Sequence, residues 1–152
     1  MAVKPIPEGY NTFTPYYVVE GASDFIEFLK KAFGAQEMFR FPGPGGKLGH
    51  AEVRVGTSFV MLADTSPEYP PSRMNSYLYV PDVDATYKKA VAAGAQSRRE
   101  PANQFYGDRV ATVLDRWGNT WSIGTHVEDV APEEMKRRAE AAMKSGRAAA
   151  TS

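Results

Sequence analysis

The segment KKAFGAQ, ending at Gln36, returns sixty residues later as KKAVAAGAQ, ending at Gln96. Each closes a helix-like stretch that follows an apolar, tyrosine-containing run, and superposing the two GAQ segments also lays Tyr17 on Tyr77. Helices often end in Gly-Ala through local preference alone, but the shared context predicts one supersecondary unit written twice.

The first copy reads as follows. TFTPYYVVE, residues 12–20, is β-branched and aromatic, as a strand requires. In ASDFIEFLKKAFGA the apolar residues Phe25, Phe28, Leu29, Ala32 and Phe33 fall on one helical face. Ser23 or Asp24 is the expected N-cap, with Glu27 in reach for a capping interaction, and Gly34 supplies the left-handed stop. AQEMFRFP, HAEVRV and TSFVMLAD then read as three strands, the first two separated by the turn PGPGGKLG and the last two by a tight turn at Gly56. The second copy repeats the plan: MNSYLYV, the helix DVDATYKKAVAAGA ending at Gly94, the weaker strand QSRREP, the loop ANQFYGD, and the strands RVATVLD and TWSIGTH hinged on DRWGN. The expected fold is α+β, with β-α-β-β-β modules at about 12–66 and 73–127 and a C-terminal helix at about 131–145. Pro132, Glu133 and Glu134 open that last helix and Lys136, Arg137 and Arg138 follow, which suits the helix dipole; its thin apolar stripe predicts packing at one edge and fraying through SGRAAATS.

Composition excludes several classes. Lys plus Arg equal Asp plus Glu at 18 each, so no electrostatic footprint for nucleic acid or an anionic membrane surface is present. Cysteine is absent, which removes disulfides, thiolate catalysis and cysteine-bound metals. No apolar run is long enough to span a membrane and MAVKPIPEGY lacks a signal-peptide centre, so a soluble cytoplasmic protein is expected. PGPGG lacks the following helix of a phosphate-cradling loop, and no Ser sits in a nucleophile elbow.

The paired modules, the AFGA helix end, GHAEVRVGTSFVMLAD, and QFYGDRVATVLDRWGNTWSI followed by THVED together resemble the vicinal oxygen chelate superfamily of glyoxalases, bleomycin resistance proteins and dioxygenases. Within it the chain looks like the small PhnB-like proteins, and the likeness runs over residues 5–140. The resemblance implies two curled half-barrels forming a cup of mostly antiparallel sheet, and a homodimer. Metal-dependent members take a histidine from the first strand and a glutamate from the last strand of each module. Carried onto this chain, the histidine positions fall at Thr14 and Asn75, the second glutamate at Ser122, and the first within FVML, which holds no carboxylate. The resemblance therefore implies no metal cofactor of that type, although Asp64 closes the strand two residues further on.

The remaining candidates are read from the residues. Strand alternation puts His50, Glu52 and Arg54 on one face and Ala51, Val53 and Val55 on the other; a His two residues from a Glu can grip a divalent metal, or both can belong to an ordinary polar face. In NQFYGDRV, Tyr106 and Arg109 offer a phenol and a two-point guanidinium for a carboxylate, phosphate or enolate; alternatively Asp108 and Arg109 pair and pin the loop. Tyr77 and Trp121 are wall or core aromatics, Asp115 and Gly118 are turn residues, and His126 is a boundary residue. Two functions remain open: a homodimeric binding module for a small organic ligand, lined by Tyr106, Arg109, Trp121, His50, Glu52 and Tyr77; or a lyase, isomerase or dioxygenase with a relocated metal site or acid-base chemistry around His50, Glu52 and Arg109.

Overall fold

The computed structural model describes residues 2–146. The elements run β1 (Tyr16–Val19), α1 (Ala22–Phe33), β2 (Gln36–Pro42), β3 (Leu48–Val55), β4 (Ser58–Asp64), β5 (Asn75–Tyr79), α2 (Val83–Ala92), β6 (Gln96–Asn103), β7 (Asp108–Leu114), β8 (Thr120–His126) and α3 (Pro132–Lys144). They divide into two compact units at Met74/Asn75, each a four-stranded sheet, β1-β4-β3-β2 and β5-β8-β7-β6. In each unit the first strand pairs in parallel with the fourth and the other pairings are antiparallel. The α+β, twice-repeated β-α-β-β-β plan with a C-terminal helix is therefore the observed fold.

One helix covers one face of each sheet. Phe25, Ile26 and Leu29 of α1 are fully buried with Ala51 and Val53 of β3, while Tyr17 packs its ring 5.4 Å from that of Phe25. Burying each such side chain stabilises the unit by about 1.5–3 kcal/mol. Gly34 ends α1 at φ 67 as expected. The start of α1 differs from expectation. Neither Ser23 nor Asp24 caps it; Gly21 is the N-cap, and the amides of Gly21 and Ala22 donate to Asp64 Oδ1 at 2.8 and 2.9 Å. The cap comes from β4, far along the chain. In the second unit Asp82 caps α2 through Ala85 N, and the Val83 amide donates to Thr125 Oγ1 of β8.

The repeat is real, but its spacing is not constant. The β2–β3 pairs Gln36–Arg54, Glu37–Val53 and Phe39–Glu52 reappear as Gln96–Leu114, Ser97–Val113 and Arg99–Thr112, bulge included, at an offset of 60. The outer strands follow an offset of 61, because five residues separate the paired Leu114 and Thr120 where four separate their equivalents Arg54 and Phe59, and α2 reaches Gly94 one residue sooner. Asp64 and Ala22 thus correspond to Thr125 and Val83. The Tyr17–Tyr77 equivalence fails for this reason: Tyr17 is 1% exposed against α1, whereas Tyr77 is 44% exposed on the opposite sheet face. Its counterpart is Tyr16. A one-residue slip in a strand sends every side chain to the other face.

β6 runs to Asn103, further than QSRREP alone predicts, and tolerates Pro101 because it is an edge strand. The α3 helix buries no side chain and is tied by Arg138, which pairs with Glu128 and Glu134 and donates to the Phe105 carbonyl. The expected fraying of the tail concerns residues mostly outside those described.

Candidate functional site

Each sheet leaves one face free of its helix, and the polar groups gather there. In the first unit Tyr16, His50 and Glu52 share that face with Phe39 and Phe41 of the edge strand β2. The hydroxyl of Tyr16 lies 2.9 Å from His50 Nδ1, His50 Nε2 lies 3.3 Å from Glu52 Oε2, and Tyr10 donates its hydroxyl to Glu52 Oε1. An imidazole protonated on Nε2 satisfies both of its contacts. Glu52 is 6% exposed, so these contacts replace its hydration. Burial, reinforced by the Glu52 bond, pushes the Tyr10 phenol up to about 12. The expected pair of His50 and Glu52 is brought together, but both nitrogens and both oxygens are already engaged.

Beside this chain lies a cavity of about 880 Å3, formed by β1, the start of β3, the end of β4 and the segments 43–49 and 65–69. Val18, Leu48 and Ala63 give it apolar walls and Tyr16 and Tyr69 aromatic ones, while Lys47 and Asp64 are its charged residues. Tyr16 thus touches both the cavity and His50. Gly43 and Gly49 both line it and approach closely: a Cβ on Gly43 would stand 3.0 Å from the Gly49 backbone.

In the second unit the organising group is Asp108, 4% exposed. Its Oδ2 accepts from Tyr77 and Tyr79, each at 2.8 Å, and its Oδ1 lies 2.8 Å from Nδ1 of His126, whose Nε2 reaches Asp129 Oδ1 at 2.8 Å. Tyr106 also bonds Tyr77, and burial followed by the Asp108 bond drives the Tyr77 phenol far above its usual value. Burial alone pushes Asp108 up, but the bonds from His126, Tyr77 and Tyr79 bring it below the usual carboxylate range. His126 is raised by Asp108 first and Asp129 second.

These directions fix a pH window. The Asp108 contribution is present above the unfolded value near ~3.9 and lost as pH falls through its lower folded value; the His126 contribution is complete below ~6.5 and lost as pH rises through its higher folded value. The urea midpoint of the wild type is therefore expected to fall between pH 6 and 9, and that fall is expected to flatten in His126→Gln. Parallel curves for the two proteins would refute the assignment.

The other expected site residues lie elsewhere. Arg109 points to the helix-covered face, where Asp84 of α2 holds its Nε and Nη2 at 2.8 and 2.9 Å and Asn103 approaches Nη1. The expected Asp108–Arg109 pairing is replaced by these two separate networks. Trp121 is 4% exposed and donates Nε1 to Asp115 Oδ2, which also accepts from Asn119, so it anchors the β7–β8 turn. Tyr77 and Tyr106 do meet, around Asp108. Tyr10, Tyr16, Tyr79, Lys47 and Tyr69 were not singled out by the sequence reading. Only the alternation that placed His50 opposite the helix carried a signal for Tyr16. Among the described residues no group of three or more His, Asp or Glu is arranged to hold an ion, and no helix is long and apolar enough to cross a membrane.

Comparison with known proteins agrees with this architecture. Residues 11–123 match the profile described as the Glyoxalase/Bleomycin resistance protein/Dioxygenase superfamily. The chain is 38% identical over 134 residues to the uncharacterized protein Mb0911c of Mycobacterium bovis, covering 81% of this chain and 88% of that one. The structure of TioX from Micromonospora sp. ML1 is similar at a TM-score of 0.67 and 23% identity, over 77% of this chain and 99% of TioX. TnmS3, an antibiotic binding protein from Streptomyces sp. CB03234, is similar at 0.57 and 21%, over 76% and 97%. At these identities the two structures speak for the fold.

Proposed function

Since the chain belongs to the glyoxalase/bleomycin resistance protein/dioxygenase superfamily, we propose that it is a small-molecule-binding protein whose ligand occupies the cavity of the first unit. The cavity is the observation that carries the reading: about 880 Å3, with apolar and aromatic walls and few polar groups, has the size and character of an organic-ligand site. TnmS3, a protein of the same fold, is by name an antibiotic binder. Fold alone does not transfer a ligand, so the residues must support it.

The binding needs no metal of the family's His/Glu type. Thr14, Asn75 and Ser122 at three of those positions offer neutral oxygens and an amide, and FVML offers no carboxylate. Neutral donors of this kind are poor partners for a catalytic divalent ion. We further place the protein among the PhnB-like members, as a cytoplasmic homodimer without nucleic-acid or membrane partners; light scattering after size exclusion checks the dimer. Its neutral overall charge supports the absence of polyanionic partners.

A second reading is favoured by one contact. Tyr16 lines the cavity and touches His50, so the chain Tyr16, His50, Glu52, Tyr10 can pass a proton to or from a bound substrate, as acid-base catalysis requires. Arg109 is committed to Asp84 within the second unit.

Ala63→Trp tests the site, because Ala63 lines the cavity and an indole there would occupy its volume. Ligands found by thermal shift on wild type are expected to lose at least about tenfold in affinity in this variant, and unchanged affinity would place binding elsewhere. Elemental mass spectrometry of protein grown with Ni, Mn, Zn and Fe is expected to give far less than one ion per chain. A stoichiometric ion lost in His50→Ala would instead establish the relocated metal site.

A further inference from the structure

We infer that the cavity of the first unit selects flat aromatic ligands bearing a negative charge, and that Lys47 reads that charge; this rests on the cavity being the binding site. Its two charged residues are not equivalent. Asp64 is spent on the fold: Oδ1 accepts from the amides of Gly21 and Ala22, and Oδ2 accepts from the Leu48 amide at 2.6 Å. Burial alone would raise its carboxyl, yet those three donors, with a smaller contribution from the charge of Lys47, hold it below the usual value, so its oxygens are engaged by protein groups.

Lys47 is the opposite case. It sits exposed at the end of the glycine-rich turn, and its ammonium donates to a single neutral acceptor, the Thr65 carbonyl, at 3.3 Å. An ammonium has three donors, so two remain for an incoming anion. Asp64, already balanced, lowers the field of Lys47 but does not pair with it. The cavity therefore offers a cation with donors to spare and no ion-pair partner within 4.0 Å among the described residues, beside apolar walls.

The walls define the rest of the ligand. Tyr16 and Tyr69 contribute the aromatic surface; burial followed by the nearby Tyr69 raises the Tyr16 phenol, whose proton is engaged with His50 Nδ1. Aromatic faces favour flat partners, and the Lys47 ammonium favours an anionic acceptor on them. Arene carboxylates, sulfonates and phenolates combine these features. A cationic or purely aliphatic ligand uses neither.

The test uses the full chain and two dyes that share an anilinonaphthalene body: 8-anilinonaphthalene-1-sulfonate, an anion, and N-phenyl-1-naphthylamine, which is neutral. Wild type is expected to bind the sulfonate about tenfold more tightly than the neutral dye, consistent with a charge-assisted contact. Lys47→Gln is expected to erase that preference while leaving the neutral dye within about twofold, and Lys47→Arg to restore it. A preference that survives Lys47→Gln, or no preference in wild type, overturns the charge reading. Ala63→Trp separates the two levels: loss of both dyes is expected, whereas retention of both overturns the cavity as the site, whatever Lys47 does.

Discussion

Gly107→Ala is expected to lower the thermal midpoint of the protein by about 10 °C. Gly107 has φ +98, and a Cβ there would stand 2.2 Å from the Glu128 carbonyl oxygen and 3.1 Å from the Val130 side chain. The backbone conformation alone costs about 1–2 kcal/mol for an L residue. The clash is with backbone, so no rotamer relieves it. Moving the segment away weakens the two bonds that the amides of Val127 and Glu128 donate to the Gly107 carbonyl. A total near ~3–4 kcal/mol corresponds to about 10 °C for a chain of this length. Gly34→Ala is the control. Its φ is similarly positive, at 67, but nothing lies within 4 Å of the added carbon, so about 1 kcal/mol and about 3 °C are expected. Equal losses in the two variants would show that backbone strain, not the approach to Glu128, governs the site.

Asp64→Ala is expected to cost about 3 kcal/mol, read as the free energy from urea unfolding at pH 7. The side chain satisfies three amides at once: two at the start of α1 and one at the start of β3. Each orphaned donor costs about 1 kcal/mol or more, partly offset where water reaches it. Asp64→Asn should lie between the two, because its oxygen can serve one side while its NH2 opposes a donor on the other. The pH dependence supplies a second readout. The folded Asp64 carboxyl is depressed, so its contribution is present above the unfolded value near ~3.9 and is lost as pH falls through the folded one. The acid limb of stability should therefore be shallower in Asp64→Ala. A loss below about 1 kcal/mol would mean that solvent satisfies the three amides as well as the carboxylate does.

How much of this was legible in the sequence follows from how local each cause is. The α1 helix was readable because its apolar stripe and Gly34 lie within the segment itself. Its N-terminal partner was not, because the acceptor is Asp64, far along the chain and brought there by the pairing of β4 with β1. Arg109 was recognised as a group able to make a two-point contact, and it makes one; its partner Asp84 could be known only once α2 lay over β7. Alternation placed His50 and Glu52 together, since they share one strand. Tyr10 and Tyr16 joined them from two other segments. The cavity left the weakest trace. Much of its lining comes from residues 43–49 and 65–69, where Gly, Pro and Ser are explained by turn formation alone and carry no periodicity.

The uneven spacing of the two halves restricts how they can be recombined. A chimaera that carries β5 or β8 into the place of β1 or β4 keeps its inside and outside only if the splice changes numbering once within the helix and again at the hairpin after the third strand. Cut at a constant sixty residues, the graft would put Tyr77 where Tyr17 fills the interior, and Ser122 where Leu62 does. Two halves that look interchangeable on paper therefore behave as parts with different threads, joining cleanly at Gly34 with Gly94 and through the matched pairs from Gln36–Arg54 to Phe39–Glu52.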